Sequence, residues 1–269
     1  MIAAATLMGC AVSCGGPKEE EVPADFKYLI DEFADLKIMR YRVPGWNTLT
    51  LKQKEYVYHL SEAAKYGRDI LWDQNCAVNL PVRHVLEDII EKYDGDKDCQ
   101  EYADFLVYAK RVFFSNGIHH HYAEEKFFPE CSREYFASLM AEVGDENPEF
   151  LEAIYSPTLY CWRKTDEGDI VKGSSVNFYE GVNRKEVDDF YAAMADPNDP
   201  EPISYGLNSK LVKGVDGVIR EEVYRIDGLY GPAISKIVEE LELASYAAES
   251  ELQKQYIACL LYTSPSPRD

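Results

Sequence analysis

Two stretches, TLKQKEYVYHLSEAAKYGRDI (residues 50–70) and LPVRHVLEDIIEKY (80–93), decide the fold. Thr50 and Gln53 have the spacing of a capping box, and Tyr56, Leu60, Ala63, Gly67 and Ile70 then fall on one helical face. In the second stretch Pro81 lies in the first turn, and Val82, Val85, Leu86, Ile89 and Tyr93 form the apolar stripe. Working outward, Asp98 with Glu101 predicts a third helix, with Tyr102, Leu106, Ala109 and Phe113 facing inward and Asn116-Gly117 at its end. Ser132 opens a fourth that Gly144 closes. The short connections between these helices favour antiparallel neighbours.

Beyond residue 144 the pattern is mixed. Residues 145–178 hold no clean period and contain Pro148, Pro157, Gly168 and Gly173, which predicts loops with short strands at Leu159–Arg163 and Val176–Tyr179. Asn183 with Glu186 caps a helix to about Ala195, and residues 196–202 (DPNDPEP) form a turn-rich loop. Leu207–Val215 and Val218–Ile226 read as a β-hairpin turning at Asp216-Gly217. Pro232 opens a long helix with Ile234, Val238, Leu241 and Ala248 as its stripe. The expected class is α+β, predominantly α.

Composition narrows the function. The 269 residues carry 28 Lys+Arg against 48 Asp+Glu, a formal charge of −20. That length allows one large domain or two small ones, and 46% hydrophobic residues suffice for a core. The acidic balance argues against nucleic acid and against anionic membrane surfaces as partners, because both are held by clustered Lys and Arg. No apolar run approaches the roughly 20 residues of a spanning helix.

The two ends stand apart. Residues 1–14 (MIAAATLMGCAVSC) are uncharged and end on Cys14, before Gly15-Gly16-Pro17 and the acids Glu19, Glu20 and Glu21. This resembles a bacterial lipoprotein signal with residues 15–26 as an acidic tether, Cys14 as lipid acceptor and Cys10 as the alternative. The expected location is the cell envelope or periplasm, or the cytoplasm if the start is misassigned, and any membrane attachment is through the lipid. Residues 259–269 (CLLYTSPSPRD) resemble the translation of a sequencing-library adapter and are expected to be a non-native tail. Cys76, Cys99, Cys131 and Cys161 lack the spacing of a paired zinc motif and read as ordinary small side chains, with disulfides left open.

Motifs of known chemistry are sparse. Ser115-Asn116-Gly117-Ile118-His119-His120-His121-Tyr122 is the most prominent string. Adjacent histidines point in different directions in regular structure, so they serve one ion poorly. Loop residues bonding a ligand or a neighbouring lobe, or plain packing, are the other readings. There is no G-x-S-x-G elbow, phosphate loop or dinucleotide fingerprint, and the adjacent acidic pairs, such as Glu124-Glu125 and Asp188-Asp189, do not converge as acid and base would.

Three longer strings carry a family resemblance. LKIMRYRVPGWNTLTLKQKEYVYHLSEAAKYGRDILWDQN (36–75), KRVFFSNGIHHHYAEEKFFP (110–129) and SVNFYEGVNRKEVDDFYAAMADPNDPEPISYGLNSKLVK (175–213) resemble bacterial dipeptidyl peptidase III, of the Bacteroides-type lipoprotein branch. The resemblance implies a two-lobed zinc exopeptidase that releases dipeptides from the N-terminus of short peptides bound between its lobes. It further implies that residues 27–258 are the front part of the non-zinc lobe, helices with an incomplete small β-barrel, leaving open strand edges and exposed apolar patches. The family's zinc ligands come from a His-Glu-x-x-Gly-His helix and a later helix bearing Glu; no His-Glu pair occurs in this sequence, so no catalytic or metal role passes to any residue here. The parent would hold zinc, whereas this chain alone is expected to be inactive. Asn116, His119, His120, His121 and Tyr122 are the candidate residues for a cleft wall. A non-catalytic peptide-binding or scaffolding lipoprotein is the alternative reading.

Overall fold

A computed structural model describes residues 22–196, 198–201 and 203–263; the candidate lipid-acceptor residues Cys14 and Cys10, most of the expected tether and the last six residues lie outside it. The chain divides into two compact units that meet at Thr50/Leu51. In the first, strands β1 (Leu29–Phe33) and β2 (Leu36–Met39) form an antiparallel hairpin, with Phe33 opposite Leu36 across the tight turn. Arg40 fastens its open end: its guanidinium lies 4.3 Å from the Phe26 ring centroid, and its Nε donates to the Lys27 carbonyl at 2.7 Å.

The second unit begins with helices α1 (Leu51–Tyr66), α2 (Arg68–Asn75), α3 (Asn79–Lys92), α4 (Gln100–Ser115), α5 (Arg133–Glu142) and α6 (Pro148–Tyr155). The apolar face expected over 50–70 does not stay in one helix. The helix breaks at Gly67, the weakest helix former in the stretch, so that α1 packs on a later helix while α2 turns to α3. The α3 stripe is as expected, with Val82, Val85, Leu86, Ile89 and Tyr93 all buried. In α4 the buried face is Tyr102, Phe105, Tyr108, Ala109 and Val112, with Leu106 and Phe113 only on its flanks. Phe105 packs edge-on against Phe136 of α5, with 5.4 Å between ring centroids. A helix covered on two sides buries a wider stripe than the three-to-four period alone marks.

Asp98 is not the α4 cap. The helix starts after Cys99, which offers no side-chain cap, and the Asp98 amide is turned to Asp96 Oδ1 at 3.0 Å. Glu101 reaches instead to the start of α5, where it accepts the Ser132 amide at 2.7 Å and its hydroxyl at 3.1 Å. The predicted end at Asn116 holds, with Asn116 in the left-handed region at φ 53°.

The region read as loops contains two helices. Pro148 starts α6 rather than breaking it, because proline fits the first helical turn and Asn147 Oδ1 caps the Glu149 amide at 2.9 Å. The second is α7 (Ile170–Gly173), capped by Asp169. Of the expected strands, 159–163 reduces to one bridge, Glu125 with Trp162, and 176–179 to the start of β3 (Tyr179–Glu180).

The capping box at Asn183 and Glu186 forms as predicted and opens α8 (Arg184–Ala192). Strand β3 runs parallel to β4 (Ser209–Lys213), which pairs antiparallel with β5 (Ile219–Val223), giving the order β3-β4-β5, and Val223 O accepts the Leu229 amide at 2.9 Å. The connection is longer than an Asp-Gly pair: Lys213 still faces Ile219, and a turn over Gly214–Gly217 closes through Gly217 N–H to Gly214 O at 2.9 Å. Gly217 takes the left-handed conformation there (φ 77°) that an L side chain resists. Under the sheet, Val182, Val187 and Leu211 form a small core of their own.

Helix α9 (Gly231–Ala247) returns along α1 and is followed by α10 (Glu251–Thr263). Ala63, Leu241, Ala244 and Ile257 are buried at their junction, and His59 Nδ1 lies 2.8 Å from Glu240 Oε2. The last helix therefore runs into the tail string, with Leu260 and Leu261 packed on this cluster. The cysteines Cys76, Cys99, Cys131 and Cys161 are free thiols, the first and third buried.

Asn183→Ala removes the side-chain half of the α8 cap, leaving the Asn183 backbone N–H to Glu186, and is expected to cost about 1 kcal/mol in urea denaturation. Asp98→Ala, at a position that caps nothing, is expected to stay within about 0.5 kcal/mol of the parent.

Candidate functional site

The histidine string sits where α4 ends. Gly117, at φ 150°, passes so close to the Asn79 amide that an added Cβ would fall 2.2 Å from its Nδ2, so no side chain fits here. Fully buried Asn79 holds the crossing, accepting the Ile118 amide at 3.0 Å and donating to the Trp72 carbonyl at 3.2 Å. The chain then folds back, with His120 N–H to Glu125 O at 2.7 Å and Phe127 N–H to Ile118 O at 2.8 Å. A third segment lies alongside, through Lys126 N–H to Cys161 O and Arg163 N–H to Glu124 O.

The side chains separate the expected candidates. His119 turns inward and is 2% exposed; its Nε2 donates to the Tyr160 carbonyl at 2.8 Å, while Nδ1 has no hydrogen-bond partner among the described residues. Burial is the main reason its pKa falls to about 4, because desolvation penalises the imidazolium. His120 Nδ1 accepts the amides of Tyr122 at 3.1 Å and Ala123 at 3.0 Å, which fixes the turn and leaves its proton on Nε2. The His120 and His121 rings stack at 4.7 Å, and Tyr122, 84% exposed, lies 4.3 Å from His121. These are an aromatic ledge. Asn116, at the other side of the helix end, belongs to a separate cavity beside Trp72.

This donor set does not fit a zinc ion. One imidazole is committed to a carbonyl inside the fold, another accepts two amides through Nδ1, and no group of three His, Cys, Asp or Glu able to hold a metal occurs among the described residues.

Two cations that the spacing gave no sign of hold the ledge in place. Arg163 grips Glu124 with two bonds, from Nε and Nη2, each of 2.6 Å, and that guanidinium holds the Glu124 carboxyl below its ordinary pKa. Arg163 Nη1 also reaches Asn75 Oδ1 at 3.4 Å, and Asn75 Nδ2 donates to the Asn116 carbonyl at 3.2 Å, closing a chain back to the end of α4. Lys126 is 5% exposed, and its ammonium donates to the carbonyls of Ala153 at 3.0 Å, Leu159 at 2.6 Å and Ser156. Ala153 and Ser156 are at the C-terminal end of α6, where helix carbonyls lack partners and the dipole is negative. Burial lowers the Lys126 pKa from its usual value. Further along, Asp73 Oδ2 accepts from Asn177 Nδ2 at 2.9 Å and Tyr230 O–H at 2.5 Å, tying the end of α2 to the sheet region. The polar run Asp73-Gln74-Asn75 before Cys76 was the sequence signal for this hub, legible only once its distant partners are known.

The architecture is an α+β fold, about half helical, that resembles part of the dipeptidyl peptidase III fold. The solved structure of DPP III from Caldithrix abyssi matches over 80% of this chain and 31% of its own, with a TM-score of 0.50 and 15% identity. In sequence the chain resembles dipeptidyl peptidase 3 of Dictyostelium discoideum (22% identical over 240 residues, 79% of this chain) and of Homo sapiens (24% over 285 residues, 87% of this chain). It spans 35% and 38% of those two relatives' lengths. No protein-family profile matches the chain.

Lys126→Met should destabilise the fold by about 2–4 kcal/mol in chemical denaturation, since three buried carbonyls lose a charged donor. His119 adds a pH dependence. Its folded pKa of about 4 lies below the ordinary histidine value of 6.5, so its contribution is full above pH 6.5 and is lost as the pH falls towards 4. That loss amounts to about 3 kcal/mol for a shift of this size. Denaturation midpoints of wild type and His119→Gln should therefore converge between neutral pH and pH 4; a constant gap would contradict the assignment.

Proposed function

We propose that this chain is the front portion of a zinc-dependent dipeptidyl peptidase and supplies one wall of its peptide cleft. The observation that carries this reading is the resemblance to dipeptidyl peptidases 3, which extends over 79–87% of this chain while covering little more than a third of each relative. The zinc chemistry of such an enzyme is assigned to no residue here, since the donors present do not fit the ion. Lobe closure in an enzyme of this kind excludes water and aligns the peptide. The chain's own part is passive: the ledge of His120, His121 and Tyr122 offers stacked rings and an exposed phenol to an extended peptide, held rigid from below by Arg163 and Lys126. Export as a lipoprotein through Cys14, or Cys10, belongs to the same proposal, and a lipid adduct in the mass spectrum of the membrane fraction would support it.

The test compares this chain with the protein encoded when the genomic reading frame is followed past Ala258. The longer protein should release dipeptides from short peptides and lose that activity to a chelator, whereas the present chain should release none. In the longer protein Tyr122→Ala should raise KM about tenfold with little change in kcat, the signature of lost binding contact. Turnover by the present chain alone, or a frame that stops without a His-Glu-x-x-Gly-His helix, would overturn the proposal. Peptide binding without turnover in both forms would mark a non-catalytic peptide-binding lipoprotein instead.

A further inference from the structure

At the α4 terminus, lined by Asn116 but by none of the ledge residues, lies a cavity of about 290 Å³. Its apolar lining comes from Trp72, Ile90 and Phe113, and Trp72 is 2% exposed with no partner for its indole N–H among the described residues. Arg83 and Glu87 also line it but neutralise each other: Arg83 Nε is 2.7 Å from Glu87 Oε1, its Nη1 is 2.7 Å from Asp69, and its guanidinium lies over the Trp72 ring at 5.3 Å.

Three lining groups remain uncommitted. Four cations gather on this face and the adjoining groove, and Lys65, Arg83 and Lys236 each have a carboxylate, Glu62, Asp69 with Glu87, and Glu239 respectively. Arg68, which lines both hollows, has none among the described residues. On α3, Glu91 likewise has no cation, whereas its neighbour Lys92 is held by Asp88 at 2.8 Å. The third is the Asn116 side-chain amide, which makes no hydrogen bond to the described residues although its backbone carbonyl is held by Asn75.

A free guanidinium, a free carboxylate and a free amide around an apolar lining are the complement of a small zwitterion. We propose that this cavity binds an α-amino acid or dipeptide with an apolar side chain, its carboxylate on Arg68, its ammonium on Glu91 and its side chain against Trp72 and Phe113. Guanidinium and carboxylate make charge-assisted bonds stronger than those between neutral groups, so loss of either charge on the ligand should be read directly in affinity. The site involves neither the ledge nor any metal, so it stands whether or not the chain is part of a peptidase.

The test is titration of the full chain with leucine, leucinamide, N-acetylleucine and leucyl-leucine, followed by the indole N–H resonance of Trp72 in heteronuclear NMR. Leucine should shift that resonance with a millimolar dissociation constant, and leucinamide and N-acetylleucine should each bind about tenfold more weakly, a difference of about 1.4 kcal/mol. In Arg68→Ala the preference for leucine over leucinamide should vanish while that over N-acetylleucine persists; Glu91→Gln should do the reverse. Both side chains are exposed, so neither variant threatens the fold. A tighter constant for leucyl-leucine than for leucine would identify a dipeptide site, and the opposite order an amino-acid site. Equal constants for leucine and its two blocked forms, or an unmoved Trp72 resonance, would overturn the proposal.

Discussion

The ammonium of Lys126 is the contact on which the centre of the molecule depends. A buried cation without a carboxylate is costly, because water solvates the charge better than an apolar interior does. Three carbonyls at and beyond the end of α6 offset that cost, and they need a donor as much as the ammonium needs acceptors. One side chain thus fixes the end of α6, the turn after it and the strand that returns from the histidine loop. Neutral His119 forms an antiparallel backbone bridge with Lys126, its imidazole bonded to the Tyr160 carbonyl. A protonated imidazole here would add a second buried charge, and the nearness of Lys126 and Arg163 adds to the burial that disfavours it.

From that centre, rigidity spreads through single polar bonds rather than through a continuous sheet. Glu124, Arg163, Asn75 and Asn116 form a chain from the loop to the helix end, and Asn79 stitches the loop to α2 from beneath. Each member has a partner more than ten residues away or on another element, so the loop is positioned by tertiary contacts. The consequence is a hard support under an exposed aromatic ledge. Surfaces that bear rigid aromatic side chains lose little conformational entropy on contact.

The two faces of the α4 terminus differ in kind. On one side the His120 and His121 rings stack and His120 fixes a turn; on the other, charges of opposite sign have no ion-pair partner among the described residues around an apolar lining. Both follow from one local event, the left-handed turn at Asn116 and the close passage of Gly117, which send the chain away from the helix axis.

Periodicity was legible wherever a helix buries a single stripe. The α3 stripe, the C-terminal end of α4, the start of α5, the Asn183 capping box and the β4–β5 hairpin could be read from spacing and cap residues, because those signals act within a few residues of one another. The resemblance of the long strings to dipeptidyl peptidase III was also present in the residues themselves. The break at Gly67, the wide buried face of α4 and the release of Asp98 from capping depended on what each helix packs against. Pro148 was misread because proline both stops helices and starts them, and only the cap at Asn147 selects between the two. The histidine string shows the same division most clearly. Sequence alone put His119, His120 and His121 together and argued that neighbours in a chain do not converge on one ion. Which of them is buried, which stacks, and which distant lysine and arginine hold them were decided by the tertiary structure, since a side chain's protonation, partners and exposure are set by what folds against it and not by what precedes it.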